Sequence, residues 1–89
     1  MKITLTEFFE NKEHFAIHCD TEEKANTLLK AFDKLGKWWW DGDSYLFHNY
    51  YFEHKNQTCY TNNGGYVDCD WCERHGYTIF EFNEVDLGN

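Results

Sequence analysis

Apolar and polar positions recur with two different periods along the chain, and each period predicts a different element. Between residues 20 and 36 apolar side chains return every three or four positions, which is the spacing of one helix face. These positions are Ala25, Leu28, Leu29, Phe32 and Leu35. Asp20 is the predicted N-cap, Glu23 completes a capping box, and Gly36 is the predicted end. We therefore expect one long amphipathic helix.

A shorter helix and a strand are predicted before it. Thr4 and Glu7 have the spacing of a capping box, which predicts a helix over residues 5–11. Residues 15–19 then alternate between apolar and other side chains, as a half-buried strand does. The buried face of that strand is expected to carry Phe15, Ile17 and Cys19.

The chain after Gly36 is rich in aromatic residues and turn signals, which are typical of strands. Turns are predicted at Asp41-Gly42-Asp43 and at Asn62-Asn63-Gly64-Gly65. Residues 50–52 either continue a sheet or leave it. We expect strands over residues 37–40, 44–48, 57–62, 66–69 and 77–82. The whole pattern predicts an α+β fold, in which one long and one short helix cover one face of an antiparallel sheet.

Length and composition fit one domain over residues 1–89. The chain has 89 residues, no proline, and no linker or repeat that would mark a boundary. Aromatic residues make up 20% of it, which offsets the small size because each ring buries a large apolar area. Trp38, Trp39 and Trp40 are consecutive, so at least one of them should lie at the surface or at an interface.

The charge balance narrows the classes of partner. Sixteen acidic against eight basic residues give a formal net charge of −8, which argues against direct nucleic-acid binding and favours a basic partner surface. The N-terminal residues do not form a secretory signal, and no apolar run has membrane length. We therefore expect a cytosolic protein without a membrane partner, whose cysteines stay reduced.

Three cysteines and one histidine form the candidate chemical site. Cys59 precedes the C-x2-C pair Cys69 and Cys72, and His75 follows three residues later. Thiolate and imidazole are the ligands that structural Zn²⁺ prefers, so this spacing predicts a closed zinc site that staples a hairpin and a turn. His54 is the competing fourth ligand, and Cys19 is assigned to the core.

The register of the predicted hairpin decides whether Cys59 can join that site. A two-residue turn at Asn63-Gly64 would place Cys59 opposite Asp68, and Cys59 and Cys69 would then lie on opposite faces of the sheet. A three-residue loop ending at Gly65 would place Cys59 directly opposite Cys69. The sequence allows both registers.

Motifs of catalytic chemistry are absent from the sequence. It contains neither a nucleophile elbow, nor a phosphate-binding glycine loop, nor H-E-x-x-H. The C-x2-C pair lacks the H-x-E and the proline of zinc deaminases. We therefore expect that the protein is not an enzyme.

Several segments together resemble small proteins encoded by phages and prophages of Gram-positive bacteria. These segments are residues 15–25, 28–31, 35–38, 42–45 and 76–79. The resemblance covers roughly residues 5–85, and some phage proteins of this kind are anti-CRISPR inhibitors, which bind and block the RNA-guided nuclease of a type II system. It implies a binding protein that acts in the cytoplasm of an infected bacterial host, but it transfers no inhibitory residue.

An acidic surface with an aromatic anchor is the predicted contact with such a nuclease, because these enzymes carry basic channels for nucleic acid. The binding residues we expect are Asp41, Asp43, Trp40, Asp70 and Glu73. Two alternatives stay open: a zinc-knuckle module whose aromatic residues stack on bases, and a small phage regulatory protein with another host partner.

Overall fold

The computed structural model describes residues 2–88 as six strands and four α-helices. The elements are β1 (Ile3–Thr4), α1 (Leu5–Glu10), β2 (Phe15–Cys19), α2 (Glu22–Lys34), α3 (Tyr51–His54), β3 (Thr58–Thr61), β4 (Tyr66–Asp68), α4 (Cys69–Arg74), β5 (Thr78–Glu81) and β6 (Val85–Asp86). Short 3₁₀ turns at Lys55–Gln57 and Phe82–Glu84 precede β3 and β6. The predicted α+β class is confirmed.

The central sheet has four strands in the order β4-β3-β2-β5. β3 pairs antiparallel with both β2 and β4, whereas β5 pairs parallel with β2. The prediction of a wholly antiparallel sheet is therefore wrong. The reason is that α4 follows β4, so the chain turns before β5 and returns on the far side of β2. A second, two-stranded sheet joins β1 and β6 in parallel, with Ile3 beside Val85.

The N-cap of α1 is the predicted residue, whereas the N-cap of α2 lies one residue after the predicted one. At α1 the Thr4 amide donates to Glu7 Oε1 at 3.0 Å and the Glu7 amide donates to Thr4 Oγ1 at 3.1 Å, which confirms the capping box. At α2 the cap is Thr21, whose Oγ1 accepts from the Lys24 amide at 3.1 Å. Asp20, the predicted cap, instead accepts from Lys24 Nζ at 2.8 Å.

The central sheet is covered on both faces, and the two sides differ in composition. On the first side, here called the aromatic face, Ile17 and Tyr60 pack with α1 and α2 through Phe8 and Phe32. On the other side, here called the thiol face, the buried residues are Ala16, Cys59 and Cys72. The prediction that helices cover one face only is therefore wrong, because α4 packs on the thiol face, where small side chains leave room for it.

The strands predicted over residues 37–40 and 44–48 do not form. A single bridge between Trp38 and Ser44 is all the pairing found in residues 37–50. Aromatic residues favour strands by packing on neighbouring strands, and here no neighbouring strand is available. Residues 50–52 leave the sheet, and α3 begins at Tyr51 after Tyr50 adopts a left-handed conformation with φ 53°.

The β3–β4 hairpin has a register that neither sequence alternative describes. Tyr60 faces Tyr66 and Cys59 faces Val67, so the loop is Asn62-Asn63-Gly64 with φ +87° at Gly64. Thr61 holds this loop closed, because its Oγ1 accepts from the Gly65 amide at 3.0 Å. The register differs by two residues from the one that opposes Cys59 and Cys69, and alternation therefore still places both on one face.

Candidate functional site

The loop between α2 and α3, residues 37–50, is built around one buried tryptophan; we call it the aromatic loop. Trp39 has no solvent exposure, and its Nε1 donates to the His48 carbonyl oxygen at 3.1 Å. Four tyrosine rings lie with centroids 4.6–6.0 Å from its own. They belong to Tyr45, Tyr50, Tyr60 and Tyr66. A loop without regular pairing is thus tied to the core through one side chain.

Hydrogen bonds to α2 and β3 fix the second half of the aromatic loop. Asn49 Nδ2 donates to Glu22 Oε2 and to Asn26 Oδ1, both at 2.9 Å. The Tyr60 hydroxyl donates to the Asn49 carbonyl oxygen. Asn49 Oδ1 in turn accepts from the Tyr51 amide at 3.0 Å, so the chain enters α3 in a defined direction.

Large apolar side chains project from this fixed backbone into solvent. Trp38 is 62% exposed, Trp40 58% and Phe47 71%, and Leu46 and Phe52 are exposed to a similar degree. Two surface grooves accompany them, of about 410 Å³ beside Phe47 and about 350 Å³ between Trp38 and Trp40. Sequence reasoning placed at least one exposed tryptophan here but missed Phe47 and Phe52. The exposure of Phe47 follows because the strand predicted over residues 44–48 does not form.

Carboxylates surround the same loop. Burial raises the pKa of the Tyr50 hydroxyl, and the charges of Asp41, Asp43 and Glu53 raise it further. The Tyr66 hydroxyl donates to Glu53, and this hydrogen bond raises the pKa of Tyr66 to about 12. The aromatic loop therefore has an acidic rim, which contains Asp41 and Asp43, two of the expected binding residues.

The other two expected acidic residues, Asp70 and Glu73, lie on α4. Asp70 lines a small groove together with Glu53, His54 and Asp68. Glu73 follows Asp70 by three residues on the same helix. Asp70 thus joins the acidic rim through Glu53, while Glu73 lies about one helical turn further along.

The tip of the β3–β4 hairpin contacts the aromatic loop directly. The Trp40 amide donates to the Gly64 carbonyl oxygen at 3.2 Å. A Cβ atom at Gly64 would lie 2.9 Å from the Trp40 backbone nitrogen, a distance shorter than a normal contact. Glycine is required at this position by both the left-handed φ and the close approach.

Three of the four cysteines meet on the thiol face. Cys59 Sγ lies 3.4 Å from Cys69 Sγ, and Cys72 is buried in the same cluster as Cys59. The neighbouring Cys72 thiol and burial both raise the pKa of the Cys59 thiol. Cys59 in turn lowers the pKa of the Cys72 thiol, although burial acts in the opposite direction there. Cys19 lies in the core of the aromatic face, as expected, where burial raises its pKa to about 12.

Neither histidine proposed as the fourth ligand is directed at the thiols. His75 Nδ1 donates to the Trp71 carbonyl oxygen at 2.8 Å, and the His75 ring stacks on Trp71 with centroids 3.9 Å apart. His54 contacts Tyr66 and Asp68. These two side chains lie on the aromatic face, because side chains alternate along β4 and Val67 between them lies on the thiol face.

A histidine that was not among the predicted ligands, His18, lies on the thiol face. His18 stands opposite Cys59 in the β2–β3 pairing. Its Nδ1 lies 2.8 Å from Glu81 Oε1 and its Nε2 2.7 Å from the Asn56 carbonyl oxygen, so both nitrogens already face acceptors.

Neither a preformed metal site nor a membrane-spanning helix is found in the part of the chain that the structure describes. Within residues 2–88 no three His, Cys, Asp or Glu side chains are arranged as a preformed metal site. Over the same range no helix has the length and apolar character needed to cross a membrane.

Three comparisons with known proteins give no relative from which a family could be assigned. No protein-family model matches the chain, and neither a curated protein nor a solved structure does.

Proposed function

We propose that this protein is a non-catalytic binding protein that docks on a basic partner protein through the aromatic loop. One observation carries the proposal: Trp38, Trp40 and Phe47 project from a loop whose backbone is fixed by the buried Trp39. Exposed aromatic side chains in a contiguous patch are typical of interaction surfaces, and tryptophan is enriched among the residues that dominate binding energy.

The fixed backbone favours binding because little has to be ordered on docking. Immobilising a side chain at an interface costs roughly 0.5–1.5 kcal/mol, and loops cost more. Here Asn49 and the His48 carbonyl oxygen already hold the aromatic loop in place. The apolar area buried in a complex would therefore contribute to affinity with a small entropic loss.

Charge specifies the chemistry of the partner. Asp41, Asp43 and Glu53 border the apolar side chains, and the chain as a whole has a net charge of −8. Such a surface steers towards a positively charged one and repels nucleic acid. A protein whose own function is to hold nucleic acid offers the matching surface.

The most concrete partner is the RNA-guided nuclease of a type II CRISPR system, which the resemblance to phage anti-CRISPR proteins suggests. These nucleases hold their nucleic acids in positively charged channels. In this proposal the protein is phage-encoded, acts in the cytoplasm of the infected host, and blocks the nuclease by occupying a basic site. A metal ion at the thiol face belongs to a separate proposal, because the aromatic loop does not depend on it.

Cleavage of a target DNA by purified type II nucleases, with and without the protein, tests this function. We expect cleavage by at least one nuclease to fall as the protein is added, and the same nuclease to retain the protein on a column. Undiminished cleavage across several type II nucleases would contradict this choice of partner. A gel shift of nucleic acid alone at low salt would favour the nucleic-acid-binding alternative.

Matched variants test the docking surface itself. Trp40→Ala should weaken inhibition by roughly thirtyfold or more, since exposed aromatic anchors contribute about 2 kcal/mol or more when they are buried at an interface. Asp41→Asn with Asp43→Asn should weaken it further than Glu10→Gln with Glu73→Gln, which removes the same charge from α1 and α4, outside the acidic rim. Equal losses from both pairs would show that net charge, and not the aromatic loop, determines binding.

A further inference from the structure

The thiol face brings together three cysteines that the docking surface does not use. Cys59 comes from β3, whereas Cys69 and Cys72 come from the first turn of α4. Cys59 and Cys72 have no solvent exposure, and Cys69 is partly exposed. We propose that these three thiols form a binding site for a thiophilic metal ion with a filled d shell, with Zn²⁺ as the ion bound, and that they bind it as thiolates.

The sulfur positions already approach those of a ligand set. Cys59 Sγ and Cys69 Sγ are 3.4 Å apart. Two thiolates on a tetrahedral Zn²⁺, each with a Zn–S distance of about 2.3 Å, stand about 3.8 Å apart. Moving the two sulfurs apart by a few tenths of an ångström therefore makes room for the ion. Cys72 is buried in one cluster with Cys59 and is the third ligand.

The surroundings of the thiols suit a metal site better than a hydrophobic core. Ala16, Cys59 and Cys72 are the buried residues of this cluster, and Val67, Tyr77 and Ile79 pack partly buried around them. The three buried side chains are small and the larger ones around them are only partly buried, so this core stabilises α4 weakly. A metal ion with ligands from both α4 and β3 would add the stability that this small core does not supply to α4, as structural zinc does in other small domains.

The connection of α4 to the next strand supports the same assignment. Gly76, with φ +74°, ends α4, and the Tyr77 amide donates to the Cys72 carbonyl oxygen at 2.9 Å. The helix end that follows Cys72 is thus closed by its own hydrogen bonds. The turn that carries Cys69 and Cys72 thus has a fixed geometry before any ion binds. Both thiols lie near Cys59 of β3.

The three thiolates are the protein ligands we assign, and the fourth position faces the partly exposed side at Cys69. His54 lies on the opposite face of β4, and both nitrogens of His18 are occupied by acceptors. The His75 ring stacks on Trp71 and is held there by its Nδ1 hydrogen bond. We therefore assign no histidine as a ligand of this site.

Titration of the reduced, metal-free protein with Zn²⁺ alone, in competition with a chromophoric chelator, tests the proposal. We expect one equivalent of Zn²⁺ per chain, and with Co²⁺ an ultraviolet thiolate-to-metal absorption whose intensity corresponds to three thiolates. Cys69→Ser is partly exposed and nearly isosteric, so it should fold. It should lose more affinity than the roughly 10–100-fold that a lost outer hydrogen-bond partner costs.

Control variants separate a specific site from incidental thiol binding. Cys19→Ala removes a cysteine from the opposite core and should keep one equivalent and the full Co²⁺ absorption. His75→Ala should also keep both, and far-ultraviolet circular dichroism checks that each variant is folded. Substoichiometric binding by the wild type would overturn the proposal. Binding by folded Cys69→Ser with wild-type affinity, or a loss in Cys19→Ala or His75→Ala equal to that in Cys69→Ser, would overturn it as well.

Discussion

The two faces of the central sheet solve the same packing problem with different means. The aromatic face buries Phe8, Phe32, Trp39 and Tyr60 against a helix of thirteen residues. The thiol face buries Ala16, Cys59 and Cys72 against a helix of six residues. Because buried apolar area stabilises in proportion to its size, the aromatic face carries most of the stability of the domain. The thiol face is the part whose structure a ligand can most strongly affect.

The two faces of the sheet also differ in the surface that lies beside them. On the aromatic face the core continues outward into an exposed loop, so rigidity and exposure occur together and favour docking. On the thiol face the polar groups His18 and Glu81 bind one another beside the thiols at 2.8 Å.

The largest expected effect is that of Trp39→Ala. Removal of a fully buried tryptophan costs about 3–5 kcal/mol of unfolding free energy, and here it also releases the aromatic loop. Urea denaturation measures the loss. Trp40→Ala, at a side chain 58% exposed, is the control and should cost less than about 1 kcal/mol. If the two variants lost similar stability, Trp39 would not be the anchor.

The contact between the hairpin and the aromatic loop predicts the next largest effect. Gly64→Ala combines a left-handed φ with a Cβ atom only 2.9 Å from the Trp40 nitrogen. Gly42→Ala has a similar φ of +91° but open space around it, so it isolates the backbone cost of roughly 1–2 kcal/mol. We expect thermal unfolding to show a clearly greater loss for Gly64→Ala. Equal losses would mean that the contact yields easily.

Hydrogen exchange compares the two faces directly. In the metal-free protein the amides of α4 should exchange faster than those of α2, because a six-residue helix over a small core opens locally at low cost. Zn²⁺ at a hundred times its dissociation constant should slow α4 by up to about a hundredfold. The exchange of α2 should change little. An equal slowing of both helices would contradict a site confined to the thiol face.

The smallest effect concerns alkaline pH. The hydrogen bond to Glu53 raises the pKa of Tyr66 to about 12, above the value of about 10 in an unfolded chain. The stability that this bond contributes is complete below about pH 10, and it falls as the pH rises from there towards 12. Tyr66→Phe should therefore show a shallower alkaline loss of stability by urea denaturation. An unchanged slope would show that the bond does not form in solution.

Local chemistry made much of this structure predictable. The capping box at Thr4 and the end of α2 before Gly36 depend on neighbouring residues only, and both form. The N-cap of α2 shifted from Asp20 to Thr21 because two adjacent residues both suit a cap.

Features that depend on contacts between residues far apart in the sequence were harder to predict. The parallel pairing of β5 with β2 joins residues more than sixty positions apart, and no local pattern encodes it. Residues 37–48 carry strand-forming side chains without a partner strand, and Trp39 enters the core instead. For the candidate site, the convergence of Cys59 with Cys69 was predictable in outline, but the register was not. The exposure of Phe47 required the three-dimensional fold.

The hairpin that carries Cys59 at its base contacts Trp40 with its tip, through the hydrogen bond from the Trp40 amide to Gly64. This places the two proposed ligand sites at opposite ends of one rigid element. Thermodynamic linkage then imposes a condition: if a bound ion changes the affinity for the partner by some factor, the partner changes the affinity for the ion by the same factor. Measuring either factor therefore gives the other, and a factor of one would show that the hairpin transmits nothing.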